Sequence, residues 1–218
     1  MYIEGDGFAW VSSDMPSSDP TPIHPVGLQL ALAQPDGNAA YLGRPCQYGG
    51  ADQLPCGRQY WTAGRFAAEV IDASNIAIDD LKKRFGAREL TLVGFSGGGA
   101  VAALLAARRG DVRRLITVAG NLDHQAWTTQ LRLSPLTGSL NPADYRDKLA
   151  TVIQWHFAGG SDRVMPSTIA ENFAAGFPPR NKPIVRVVPG YDHQCCWVQN
   201  WPALWGEISS QNTAGKNF

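Results

Sequence analysis

The segment Gly94-Phe95-Ser96-Gly97-Gly98 places a serine between glycines two positions before and two after it, at the junction of a β-branched run and an alanine-rich one. This is the G-x-S-x-G spacing of a nucleophile on a sharp strand-to-helix turn, where larger flanking residues would collide with the strained backbone. A helix beginning there would aim backbone N–H groups and its positive dipole end at negative charge developing beside Ser96, as in attack on a carbonyl. A glycine-rich phosphate loop is the competing interpretation of Gly97-Gly98-Gly99. GFSGGG lacks the G-x-G-x-x-G spacing, however, and follows the third strand rather than the first.

A nucleophilic serine needs a base, and the chain has four histidines. His24 lies in the extended Pro22-Ile23-His24-Pro25 loop, and His156 falls inside a strand pattern, where a satisfied core or surface histidine is expected. His124 follows the fourth strand and is a weak candidate. His193, in Pro189-Gly190-Tyr191-Asp192-His193, lies just beyond the sixth strand, where a parallel sheet places its sites. Two acids compete to orient it: Asp162, which closes the fifth strand in Gly159-Gly160-Ser161-Asp162, and Asp123, which closes the fourth. Asp192 is too close to His193 in the chain to fold back onto its ring and is read as a loop-shaping residue.

The elements that must position these residues read as alternating strands and helices, the pattern of a parallel sheet covered on both sides. Strands are expected at 2–4, 39–42, 89–95, 113–118, 151–157 and 184–188. Helices are expected at 26–33, 62–85, 97–109, 141–149, 166–175 and 202–209. The long one carries Phe66, Val70, Ala73, Ala77 and Leu81 on its apolar face, with Gly86 as its C-terminal cap. Asn141 is its counterpart as an N-cap ahead of Pro142. The stretch 120–140 is expected to be irregular, a lid or pocket wall.

At 218 residues and 44% hydrophobic, one domain spanning 1–218 is expected, with loops 7–25, 43–59 and 120–140 shaping the active-site face. Nineteen basic residues balance nineteen acidic ones, with no basic run to follow a nucleic acid backbone, so nucleic acid is not an expected partner. No apolar stretch approaches the roughly 18 residues of a membrane span. The four cysteines have no zinc-like spacing, and neither metal nor cofactor is expected. Cys46 and Cys56 bracket a loop poor in apolar residues, which a cross-link would steady; Cys195-Cys196 stays undecided, with a bond between these neighbours ranked below a link to that loop or free thiols. Such bonds tilt the expected location toward the periplasm or exterior over the cytoplasm, although no signal peptide is visible. Oligomeric state is not legible.

With Gly94 to Gly98, Gly159 to Asp162 followed by Val164 and Pro166, and Gly190 to His193, the chain resembles the α/β-hydrolase superfamily over nearly its whole length. Arg44-Pro45-Cys46-Gln47-Tyr48 and Gly120-Asn121-Leu122-Asp123 look like a group of uncharacterised bacterial members. The resemblance implies a three-layer α/β/α fold around a mainly parallel sheet of about six strands. It also implies the chain order serine, acid, histidine, which selects Ser96, Asp162 and His193 as the triad. The oxyanion donors would be the backbone N–H groups of Gly97 and of Asp6, the latter in Glu4-Gly5-Asp6-Gly7, where Gly5 and Gly7 are the alternative donors and a plain turn is the competing reading. Members of the superfamily place two further strands before that loop; here it starts four residues from Met1, as in either a minimal or a truncated fold, and a sheet without that pair would have 39–42 at its edge.

The implied activity is hydrolysis of a small-molecule carboxylic ester through an acyl-enzyme. A thioesterase, acyltransferase or peptidase would use the same residues, and a non-catalytic binding protein on this frame would be missing one of them. Trp10, Trp61, Trp127, Trp197, Trp201 and Tyr191 fall in or beside loops at the catalytic face and are candidates for an aromatic pocket wall.

Overall fold

The computed structural model describes residues 1–214, with side chains as far as Ser210, so 215–218 of the expected domain lie outside the described residues. Six strands form: β1 (Tyr2–Ile3), β2 (Tyr41–Leu42), β3 (Leu90–Phe95), β4 (Val112–Val118), β5 (Ile153–Gly159) and β6 (Ile184–Val188). They pair in the order β2-β1-β3-β4-β5-β6, and every pairing is parallel. β2 is therefore an edge strand, as expected from the sequence.

Strand residues alternate between two cores because successive side chains point to opposite faces. Ile3, Leu92 and Leu115 belong to one core, with α2 (Ala68–Phe85), α3 (Gly97–Ala106) and α6 (Ser167–Ala175). Tyr2, Val93, Phe95, Ile116 and Phe157 belong to the other, with α1 (Val26–Leu32) and α7 (Trp197–Ala214). The result is the three-layer α/β/α arrangement. All ten residues of α3 are buried, so the helix after Ser96 runs through the interior. Each of its fully buried leucines, such as Leu104 and Leu105, contributes about 1.5–3 kcal/mol.

Four expectations change. The 120–140 stretch contains a helix, α4 (His124–Leu131), which Asp123 caps by accepting the Ala126 N–H. α2 begins at Ala68, not Thr62, and buries Val70, Ile71, Ser74 and Ile78, a face turned from the one expected, while Phe66 packs into the same core ahead of the helix. Gly86 does cap it, in the left-handed conformation at φ 61°. The 141–149 segment is a 3-10 turn, Pro142–Tyr145, followed by α5 (Arg146–Leu149); the Asn141 side chain bonds His124 N–H and Asp123 instead of capping. α7 starts at Trp197 rather than 202 and contains Pro202, with fully buried Trp197 and Trp201 anchoring its first turns. No described helix is long and apolar enough to cross a membrane.

Cys46 and Cys56 are joined as expected. Cys195 is joined to Cys196, contrary to the ranking from sequence. With Cys46 and Cys56 paired to each other, the preferred link to their loop has no partner left.

Candidate active site

β3 lies in the interior of the sheet and must pass at once into α3, so its carboxyl end makes a very tight turn. Ser96 occupies it with φ 52° and ψ −123°, a conformation that non-glycine residues rarely hold. The surroundings leave room only for glycine. A Cβ on Gly94 would overlap the Gly98 carbonyl, and one on Gly98 would overlap the carbonyls of Ile3 and Glu4. Hydrogen bonds hold the turn: Ser96 N–H donates to Val118 (3.0 Å), while its carbonyl accepts from Gly99 (2.9 Å) and Asn121 (3.0 Å).

The loop after β6 brings His193 to this serine, its Nε2 lying 3.0 Å from Ser96 Oγ. On the other side of the ring, Nδ1 is 2.8 Å from Asp162 Oδ2. Asp162 is buried beyond β5, and its second oxygen accepts the N–H groups of Val164 (2.8 Å) and Met165 (2.7 Å). With Nδ1–H donating to the carboxylate, Nε2 is left to accept the serine proton. The Phe95 ring, 5.3 Å from the imidazole, packs against it.

Asp123 is occupied elsewhere, with its Oδ1 bonded to the Ala126 N–H and Asn141 Nδ2. Asp192 shapes its loop as expected, accepting from Gln194 and Cys195, and these backbone N–H groups hold its pKa below the usual carboxylate value. Of the other histidines, His124 and His156 are buried, the latter 2.9 Å from Thr117 Oγ1, and burial drives its pKa down to about 3. His24, read as a plain loop residue, reaches the mouth of the cavity above Ser96.

That cavity, of about 470 Å³, is lined by residues from the segments that follow each of the six strands. Trp10 and Trp127 form part of its wall, and Trp127 is fixed by donating to the Val164 carbonyl (2.7 Å). Trp61, Tyr191, Trp197 and Trp201 are not in the wall. Trp61 is buried and donates to Ser17; Trp197 is buried with its ring 4.9 Å from that of Tyr191; Trp201 donates to the Tyr2 hydroxyl. They plug the core because an indole buries a large area once its N–H has a partner. Phe8, Ile23, Met165 and Asn121 line the cavity without having been singled out in the sequence. Loops 7–25 and 120–140 contribute to the wall, whereas no residue of 43–59 does.

The N–H of Gly97, first residue of α3, and that of Asp6 have no acceptor among the described residues. Gly5 is not available in the same way, since its N–H donates to Glu4 Oε1 (2.9 Å). Buried Glu4 also accepts from Gly27, Leu28 and the Tyr41 hydroxyl, tying the Glu4–Gly7 turn to α1 and β2. Gly97 lies directly against the Asp6 side chain, which an added Cβ would overlap.

No protein-family model matches the sequence, and no curated protein matches it. Solved structures do. Est1E from Butyrivibrio proteoclasticus with ferulic acid bound superposes with a TM-score of 0.70 at 14% identity, over 97% of this chain and 88% of that one. MGS-MChE2, an alpha/beta hydrolase from the metagenome of lagoon sediments at Mar Chica, Morocco, gives 0.50 at 15% identity, over 68% of this chain and 71% of its own. A structure from work on carboxylesterases of the thaumarchaeon Nitrososphaera gargenis gives 0.50 at 14%, over 66% and 71%.

Proposed function

This chain has the α/β-hydrolase fold, and on that premise we propose that it is a serine hydrolase that cleaves a carboxylic ester of a small molecule through an acyl-enzyme. The observation that carries this reading is the unbroken relay from Ser96 Oγ through His193 to Asp162, at 3.0 Å and 2.8 Å. In the first step His193 Nε2 accepts the Ser96 proton as Oγ bonds to the ester carbonyl carbon, and Asp162 stabilises the imidazolium that forms. The carbonyl oxygen becomes an oxyanion facing the N–H groups of Gly97 and Asp6. His193 then gives its proton to the departing alkoxide, leaving the acyl group on Ser96. Water, deprotonated by His193, reverses the sequence and frees the acid.

The apolar part of the cavity wall, with Phe8, Trp10, Ile23, Phe95, Trp127 and Met165, suits an acyl or alcohol group of moderate size. The test is hydrolysis of p-nitrophenyl esters of increasing acyl length, beside thioester and peptide substrates. Ser96→Ala is expected to abolish turnover, since losing the nucleophile of such a unit costs about a millionfold. Asp162→Asn is expected to be far more damaging than Asp123→Asn. Appreciable turnover by folded Ser96→Ala, or the reverse order for the two aspartates, overturns the assignment; faster cleavage of thioesters or peptides than of every ester overturns the substrate class.

A further inference from the structure

The second oxyanion donor belongs to a residue whose own side chain is a carboxylate, and that carboxylate lies against Gly97, the residue of the first donor. An anion there would repel the oxyanion that both N–H groups serve. Asp6 is paired, however, with two arginines that the sequence places far from it. Arg65 Nη1 is 2.7 Å from Oδ2 and Arg44 Nη1 is 3.1 Å from Oδ1, and both guanidiniums are almost fully enclosed. Arg65 is held in turn by Nε–H donation to the Thr62 carbonyl (2.8 Å), and Arg44 donates to the Arg65 carbonyl. From the same loop as Arg44, Gln47 donates to the Gly5 carbonyl (3.1 Å) and accepts the Arg44 N–H (2.9 Å).

Burial alone would push the Asp6 carboxyl up, but Arg65 and Arg44 outweigh it and hold its pKa below the ordinary value, so Asp6 is charged. Both of its oxygens are engaged on the side of the arginines, while its N–H keeps no partner among the described residues. We propose that Arg44 and Arg65 are positioning residues for ester hydrolysis: by sharing the Asp6 carboxylate they fix the turn that presents the Asp6 N–H, and they cancel a negative charge beside the oxyanion. This inference rests on the serine-hydrolase reading above. Its consequence is specific to the transition state, because the substrate carbonyl is neutral when bound and carries charge only as the tetrahedral species forms.

The experiment measures kcat and KM for p-nitrophenyl butyrate with wild type, Ser96→Ala, Arg65→Gln and the double variant Asp6→Asn/Arg65→Gln, with thermal melts of each. Arg65→Gln is expected to lower kcat on the order of tenfold to a hundredfold, less than the loss when an oxyanion donor is removed outright. KM should stay within about threefold, since uniform binding is untouched. The double variant, with carboxylate and guanidinium both made neutral, is expected to regain at least about threefold in kcat over Arg65→Gln while staying below wild type, because the repelling charge is gone but the tie that fixes the turn is not restored; a merely structural loss would add a second defect instead. An unchanged kcat in Arg65→Gln, an effect confined to KM, or no recovery in the double variant overturns the proposal. If Arg65→Gln does not fold, Arg65→Lys decides: it keeps the charge, and a folded Arg65→Lys that has lost tenfold or more in kcat overturns the neutralising role, whereas retention of most activity supports it. Activity in Ser96→Ala would instead sink the serine-hydrolase reading, so the two failures are distinguishable.

Discussion

Removing the Cys46–Cys56 bond by the double substitution Cys46→Ser/Cys56→Ser tests how a distant-looking loop supports the site. The bonded residues are ten apart in sequence. In the chain-entropy model, opening a loop of that length returns about 9 cal/mol/K to the unfolded chain, or about 2.7 kcal/mol of stability at 25 °C. For a chain of this size each kcal/mol is worth about 2–4 °C, so the melting temperature should fall by about 5–11 °C. The loop packs little beyond Cys46, Cys56 and Trp61 with their neighbours, so few compensating contacts are available. It carries Arg44 and Gln47, which bond Asp6 and Gly5, so kcat toward a p-nitrophenyl ester should drop while KM holds. The substitution is preferable to a reducing agent because Cys195 and Cys196 are also joined and would open together. Differential scanning calorimetry of the two proteins at one pH reads the stability. A shift of less than about 2 °C would refute the entropic argument, since it would correspond to about 1 kcal/mol or less.

Two further outcomes follow from single residues. Gly98→Ala should cost about 1–3 kcal/mol of stability and most of the activity, because its methyl group would overlap the Ile3 and Glu4 carbonyls; Gly110→Ala, with open space around it, is the control, and equal melting temperatures for the two would contradict the steric account. Buried His156 stays neutral in the folded chain down to about pH 3, whereas the unfolded chain protonates it near the ordinary value of 6.5. Its contribution is therefore intact above about pH 6.5 and is lost as pH falls toward 3, at up to about 1.4 kcal/mol per pH unit. Chemical denaturation at pH 7 and pH 4 should show a smaller loss of stability in His156→Leu than in wild type by roughly 3 kcal/mol; identical slopes would rule out this group as the source.

The turn from Gly94 to Gly98 was legible because its constraint is local: a carbonyl in the way of a Cβ at Gly94 and at Gly98 leaves glycine as the only occupant, and that restriction shows directly as a spacing of residue types. The central strands β3 and β4 were legible for a similar reason, since their apolar runs face a core on both sides. α4 was not. His124 to Leu131 mixes polar and aromatic residues without a clear apolar stripe, and its start is built by Asp123 together with Asn141 from another segment. The pairing of Asp6 with Arg44 and Arg65 crosses 38 and 59 residues, and no local pattern announces it. The aromatic residues divide likewise: Trp10 and Trp127 border the cavity while Trp61 and Trp197 fill the core, a distinction made by where the chain packs rather than by the residues beside them.

Ser96 is the first residue before a helix with no solvent-facing side, and this limits how the protein can change over generations. A substitution anywhere along α3 that alters volume disturbs packing and the placement of Ser96 together, so variation there has no neutral direction. The cavity wall is different: Phe8, Trp10 and Ile23 are exposed and belong to a loop outside both large cores. New substrate preferences can therefore accumulate at these positions one residue at a time, while the helix behind the serine remains nearly fixed.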